Sequence, residues 1–528
     1  MLLKPLLLAF VVSVAAAPGT SLAAEPPAKA DDKPAEKPSD KSAEKAGVES
    51  DKDKSKPGEP KEKLVESKHS ITINGEKIDY TGKAGTILLR DNEDKPTAAI
   101  FYIAYTKDAA GDPARRSITF SFNGGPGSSS VWLHMGLLGP RRVLLEEDGS
   151  PLPPPYRTVD NEYSLLDETD LVFIDPVSTG FSRAVKPDDA KKFHSVEGDL
   201  RSVAEFIRLY TTRNTRWASP KFIIGESYGT TRAAGLSGEL REHQRMYVNG
   251  IMLVSTVLNF ETISFARGND LPYILYLPSY AATAWYHKKL AADLQKLPVS
   301  EVVARAETFA AEDYNHALLR GGSLPPDKRR KIVKEFARFS GLSEEYVDRA
   351  DLRVPLARFA EELLRNEGRV LGRFDSRYKG YVRDRLSDNM EYDPSGEAVF
   401  GAFTATFNQY LRAELKYESD LPYEILTGSV QPWNWGGQNS YLNVAETLAE
   451  SLTRNPFLKV HVSSGYYDMA TPWFATHYTF SHLSIDPSLA RNITLDDYTA
   501  GHMMYLNLAD LKKQKADLAR FIRSASGR

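Results

Sequence analysis

Six short apolar runs, each followed by a loop and often by a helical stretch, constrain the fold of this chain more than any other feature. They are "SITFSF" (117–122), "DLVFID" (170–175), "KFIIG" (221–225), "GIMLVS" (250–255), "LKVHVSS" (458–464) and "NITLDD" (492–497). Between the second and third lies "SVEGDLRSVAEFIRLYTTR" (195–213), where Leu200, Val203, Phe206, Ile207 and Tyr210 share one helical face. Buried strands alternating with helices at this spacing imply an α/β fold, with a mostly parallel central sheet flanked by helices on both faces.

The rest of the chain is arranged around that sheet. From Ser70 to Thr106, short alternating stretches separated by Asn-Gly, Gly and Asp-Asn predict antiparallel strands and hairpins. A long, mostly helical segment interrupts the sheet between two core strands and is expected to be an inserted cap over 265–417. Its aromatic residues Tyr273, Tyr276, Tyr280, Trp285 and Tyr286 are expected to form the core of that insertion. The core proper is then split into 67–264 and 418–528. It closes with an amphipathic helix carrying Leu508, Leu511, Leu518 and Ile522 on one side.

The N-terminal segment reads differently. Lys4, the apolar run Leu6 to Ala17 and the small residues Ser21-Leu22-Ala23-Ala24 form a secretory signal over 1–24, too short for a comfortable membrane span. Residues 25–66 are rich in Ala, Lys, Glu, Asp and Pro, and are expected to be a disordered charged linker. The chain has no cysteine, which excludes a lipoprotein, disulfides, thiol nucleophiles and thiolate metal ligands. An exported protein without disulfides suits a bacterial periplasm or bacterial secretion. A net charge of −3 gives no sign of nucleic acid as a partner.

The chemistry centres on "KFIIGESYGTTRAAG" (221–235). Gly-x-Ser-x-Gly between a strand and a helix is a nucleophile elbow, and it presents Ser227 at the top of the sheet beside a helix N-terminus. A serine hydroxyl needs a base. Of the ten histidines, His69, His134, His194, His243, His287 and His316 lie before or inside the insertion, and His461, His477 and His482 lie in or just after a strand. His502, in "YTAGHMMY" after the last core strand, holds the final place in the α/β-hydrolase chain order of serine, acid, histidine. Asp468 follows the preceding strand in "VHVSSGYYDMATPW" and is the first choice for the acid, with Asp496, Asp497 and Asp175 as alternatives. In "SFNGGPGSSS", Gly124 and Gly125 let backbone N–H groups approach a substrate, and the N–H of Tyr228 is the second expected oxyanion donor.

Taken together, "NGGPGSSS", "DLVFIDPVSTGFS", "IIGESYG", "SSGYYDMATPW" and "AGHMMY" resemble, in order, the motifs of serine carboxypeptidases, over about Ser117 to Tyr505. The resemblance implies an α/β-hydrolase fold and release of C-terminal residues from peptides through an acyl-enzyme. It casts Ser227 as nucleophile, Asp468 as orienting acid and His502 as base, with Gly125 and Tyr228 at the oxyanion hole. It casts Asn123 and Glu226, beside Gly124, as the residues that bind the substrate's terminal carboxylate. A protonated Glu226 would share a proton with that carboxylate, so activity at acidic pH is expected. The family's frequent dimerisation also makes a homodimer a candidate assembly.

Two departures from the family pattern stand out. Ser128 occupies a position that is commonly cysteine, and Leu137 one that is often acidic. The second leaves open an esterase or acyltransferase on the same machinery. A catalytically inactive binding protein is the remaining alternative. No His-Glu-x-x-His and no nucleotide-binding glycine motif in a strand–helix context is found, so neither a metal nor a cofactor is expected.

Overall fold

The computed structural model describes residues 60–527. The predicted signal and nearly all of the charged linker lie outside them. The strands of the main sheet are β1 (Leu64–Ile73), β2 (Glu76–Arg90), β3 (Pro96–Lys107), β4 (Ser117–Phe122), β5 (Thr169–Ile174), β6 (Lys221–Ser227), β7 (Gly250–Thr256), β8 (Lys459–Gly465) and β9 (Ile493–Tyr498). They lie in the order β1-β2-β3-β5-β4-β6-β7-β8-β9, with the short strand Arg183–Ala184 paired to β3. The first three strands are antiparallel, β3 runs antiparallel to β5, and every pair from β5 to β9 is parallel. β1 begins at Leu64, inside the stretch expected to be linker, because Leu64 and Val65 pair with Gly85 and Ala84 of β2.

Both faces of the parallel strands β4 to β8 are buried, which is why their sequences are mostly apolar runs without alternation, while β9, at the edge of the sheet, is only half-buried. Successive residues of β6 show the division. Phe222 and Ile224 join the cluster that includes Leu511, Leu518 and Ile522 of the C-terminal helix Leu508–Ala525. Ile223 faces the opposite cluster, with Val203, Phe206 and Ile207 of helix α1 (Val196–Arg213) and Ala233, Leu236 and Leu240 of helix α2 (Tyr228–His243). Ser195 caps α1 by accepting the N–H of Gly198 at 3.0 Å.

Between β7 and β8 the chain is mostly helical. Helices from Leu271–Tyr286 to Leu356–Glu362 share an apolar cluster, with Leu275, Val302 and Phe336 inside it, that also takes in Tyr467, Met469, Trp473 and Phe474 from the segment after β8. Tyr280 stacks on Phe359 at 3.8 Å between ring centroids. Of the aromatics expected there, Tyr276 and Tyr280 are buried, Tyr273 and Trp285 are half-buried and Tyr286 is exposed. Helix Pro394–Ala413 behaves differently: Phe403, Phe407 and Tyr410 pack into the cluster on the sheet. Among the described residues, no helix is long and apolar enough to cross a membrane.

Candidate active site

Ser227 ends β6 and the next residue begins α2. A turn this tight forces Ser227 to φ 60° and ψ −130°, a backbone conformation that costs a non-glycine residue about 1–3 kcal/mol. The flanking glycines make it possible, since a Cβ on Gly225 would lie 2.0 Å from the carbonyl oxygen of Gly229. The elbow is pinned from the far side. The Thr230 hydroxyl donates to the Ser227 carbonyl at 2.7 Å and accepts the N–H of Val257 at 2.9 Å.

Asp468 and His502 lie just beyond the C-terminal ends of β8 and β9, at the same edge of the sheet as Ser227. The Nδ1 of His502 is 2.8 Å from Asp468 Oδ2. Asp468 is fully buried, and its carboxylate is fixed by the N–H groups of Ala470 and Thr471, at 2.8 and 2.9 Å, and by the Thr471 hydroxyl at 2.8 Å. An acid held by three donors accepts Nδ1–H, which leaves Nε2 of His502 as the free base. Burial alone would lower the His502 pKa, but the adjacent Asp468 outweighs it and raises the value above 6.5. Among the described residues no hydrogen bond joins Ser227 Oγ to His502 Nε2. In unliganded enzymes that bond is often long and tightens on binding.

The alternative acids are engaged elsewhere. Asp497 meets His477 at 3.0 Å, Asp496 is 3.6 Å from His461, and Asp175 accepts from the N–H and hydroxyl of Ser130 at 2.9 Å each.

The Gly124-Gly125 segment lies directly over the start of α2. A Cβ on Gly124 would sit 2.4 Å from the Tyr228 nitrogen and 2.7 Å from that of Gly229, so no other residue permits this approach. Gly125 is exposed, while Tyr228 is buried against Trp433, with ring centroids 5.5 Å apart. Exposed backbone beside a helix N-terminus is suited to holding a negative oxygen.

Glu226 is buried beside the nucleophile. Asn123 Nδ2 donates to its Oε1 at 3.0 Å, and the Tyr505 hydroxyl donates to its Oε2 at 2.6 Å. Burial pushes the Glu226 carboxyl up to about 7, partly opposed by His502 and by these two donors, with Asp468 acting in the same direction as burial. Leu137, at the position that the family resemblance marks as often acidic, is buried in the apolar core.

Several residues that build this site carried no expectation. Thr471 has a local signal, three residues after Asp468 in "DMAT". Tyr505 stands three residues after His502, at the end of "AGHMMY", where nothing in the local pattern points it at Glu226. Phe374 comes from the insertion; its carbonyl accepts the N–H of His502 and its N–H donates to the Ser395 hydroxyl, contacts that no local pattern encodes. Among the described residues, no group of three or more His, Asp or Glu is placed to hold a metal ion.

A sequence model described as serine carboxypeptidase matches residues 79–502. The chain is 26% identical over 175 residues to carboxypeptidase Y of Schizosaccharomyces pombe, a stretch covering 32% of this chain and 16% of that protein. It is 26% identical over 182 residues to carboxypeptidase Y homolog A of Talaromyces stipitatus, covering 34% and 29%. The chain thus spans under a third of the length of these curated relatives. Among solved structures, a prohormone-processing carboxypeptidase from Saccharomyces cerevisiae superposes with a TM-score of 0.55 at 17% identity, over 84% of this chain and 91% of that one. That likeness fixes the fold as α/β-hydrolase.

Proposed function

The chain belongs to the serine carboxypeptidase family, and we propose that it removes C-terminal residues from peptides through an acyl-enzyme on Ser227. The observation that carries this reading is Glu226, a buried acid next to Ser227, bonded to Asn123 and pushed up to about 7. A neutral carboxyl there donates to a substrate carboxylate, where an ionised one would repel it.

Nε2 of His502 takes the Ser227 proton as Oγ attacks the scissile carbonyl. Asp468, bonded to Nδ1, stabilises the imidazolium without taking its proton. The N–H groups of Gly125 and Tyr228 hold the oxyanion, while Asn123 and Glu226 hold the terminal carboxylate of the leaving residue. His502 then protonates the leaving amine. Water, activated by the same imidazole, releases the acyl group and restores Ser227.

Preference for acidic to neutral pH belongs to this reading, because Glu226 must keep its proton. The N-terminal segment supports export, to a periplasm or the medium. An esterase or acyltransferase is the second reading, favoured by Leu137 at a position often acidic in the family.

The test is release of the last amino acid from an N-blocked dipeptide with a free C-terminus, from about pH 4 to 8. Release by wild type and not by Ser227→Ala supports the proposal. Hydrolysis of the matching ester without release from the peptide moves the protein to the second reading.

A further inference from the structure

Among the described residues, Tyr505 is the hydrogen-bond partner of Glu226 to which the family resemblance gives no role. Its hydroxyl donates to Glu226 Oε2 at 2.6 Å while Asn123 Nδ2 donates to Oε1 at 3.0 Å, so each carboxyl oxygen has its own fixed donor. The Asn123 amide cannot turn over, because its Oδ1 accepts the N–H of Leu133 at 3.1 Å. The Tyr505 ring lies against Gly136: a Cβ there would be 2.4 Å from Cε2 of the ring. Gly136 precedes Leu137, whose own side chain turns into the apolar core with no exposed surface. The phenol thus reaches Glu226 alongside the turn that carries Gly136 and Leu137.

We propose that Tyr505 is the positioning residue that replaces the acid absent at Leu137, so that this site recognises a substrate's terminal carboxylate with one titrating acid, Glu226, instead of a pair. The inference rests on the carboxypeptidase reading above. Two carboxyls sharing a site repel an incoming carboxylate unless both are protonated, or share protons with it. A phenol is neutral throughout the working range, and burial raises its pKa further. With one donor on each oxygen, the proton of a neutral Glu226 is free to point at the substrate. The titratable groups facing Glu226 are His502, Asp468 and Tyr505. His502 and Asp468 are tied to each other at 2.8 Å, which leaves Tyr505 as the group that tunes Glu226 independently of the triad. Tyr505 also favours the ionised form of Glu226, because it donates to it. Its removal raises the pH at which Glu226 loses its proton.

The experiment uses the full chain, wild type and Tyr505→Phe, with an N-blocked dipeptide bearing a free C-terminus and an N-blocked amino-acid ester lacking one. In wild type, kcat/KM for the peptide is expected to fall above neutral pH with a slope of one log unit per pH unit. In Tyr505→Phe, KM for the peptide is expected to rise by up to about tenfold, the upper size of a lost hydrogen bond between neutral groups. The alkaline limb is expected to move to higher pH, and the loss on the ester to be much smaller than on the peptide. Equal losses on both substrates, or an unmoved KM and alkaline limb, would overturn the proposal. So would a wild-type slope of two, a readout that needs no variant to fold. Ester hydrolysis by wild type without peptide release would overturn the carboxypeptidase reading and the inference together. Peptide release with an unchanged Tyr505→Phe would overturn the inference alone.

Discussion

The backbone N–H of His502 donates to the carbonyl oxygen of Phe374 at 2.6 Å, and the Phe374 ring stacks on the imidazole with centroids 5.2 Å apart. The same loop holds the acid's segment, since the N–H of Met469 donates to the Arg373 carbonyl at 3.1 Å. Next to Phe374, Asp375 accepts the N–H of Gly501 at 3.1 Å and pairs with Arg377 at 2.6 Å. One short loop of the insertion thus braces the segments that carry both Asp468 and His502.

Asp375→Ala leaves the buried Gly501 N–H without its acceptor, at a cost of about 1–3 kcal/mol in stability. It also loosens the His502 segment, so kcat on the ester is expected to fall about tenfold with KM little changed. Denaturant unfolding and steady-state kinetics on the same preparation check both. A stability loss with unchanged kcat would mean that the loop supports the fold but does not aim the imidazole.

Asp468→Asn keeps the shape of the site and removes the charge facing Nδ1. The amide can present an N–H to His502 and select the wrong tautomer. Hydrolysis of the ester is expected to fall on the order of 10³–10⁴-fold at neutral pH. A drop of less than tenfold would show that another group orients His502.

The parts of this site that were legible in the sequence are those fixed by local geometry. The elbow at Ser227 needs glycines because Gly225 and Gly229 touch, and that requirement is visible in five consecutive residues. The six core strands β4 to β9 were readable within a residue or two, five of them because burial on both faces demands apolar runs, while short strands such as Arg183–Ala184 carried no such run. The chain order placed Asp468 before His502, and the two meet at 2.8 Å. What was not legible depends on approach through space. Tyr505 reads as one more residue after a strand until its hydroxyl is seen on Glu226, and Phe374 lies in a segment read only as helical insertion. The start of β1 was missed because Leu64 and Val65 follow a long charged run, and only pairing with β2 makes them a strand.

Glu226 should make stability fall as pH rises. Burial holds its carboxyl at about 7, against an ordinary value of 4.5. Between those values the folded chain binds more protons than the unfolded one, so raising the pH through that window removes about 3 kcal/mol of stability. His502, raised above 6.5, acts in the same direction: its contribution is full below 6.5 and is lost as pH passes its folded value. Glu226→Gln cannot ionise. Its melting temperature is therefore expected to fall less than that of wild type between about pH 5 and pH 7.5. Its peptide hydrolysis should also lose the alkaline limb. Parallel melting curves for the two proteins across this range would rule out a raised Glu226 pKa.

Behind the oxyanion segment, Arg232 of α2 is almost fully buried. Its Nε donates to Asp199 Oδ2 of α1 at 2.8 Å, and its Nη1 donates to the carbonyl of Asn123 at 2.6 Å. The guanidinium thereby ties both helices to the end of β4. Arg232→Met leaves Asp199 buried without its ion-pair partner, and is expected to cost about 3–5 kcal/mol. Removing the acid as well, in Arg232→Met/Asp199→Leu, takes away the stranded carboxyl and should recover much of that loss. Neither variant restores the bond to the Asn123 carbonyl, so KM for a free-carboxylate peptide should stay raised in both, even where stability returns. Urea unfolding of wild type, both single variants and the double gives the coupling energy directly. A double variant less stable than Arg232→Met would mean that Asp199 contributes to the fold independently of the arginine.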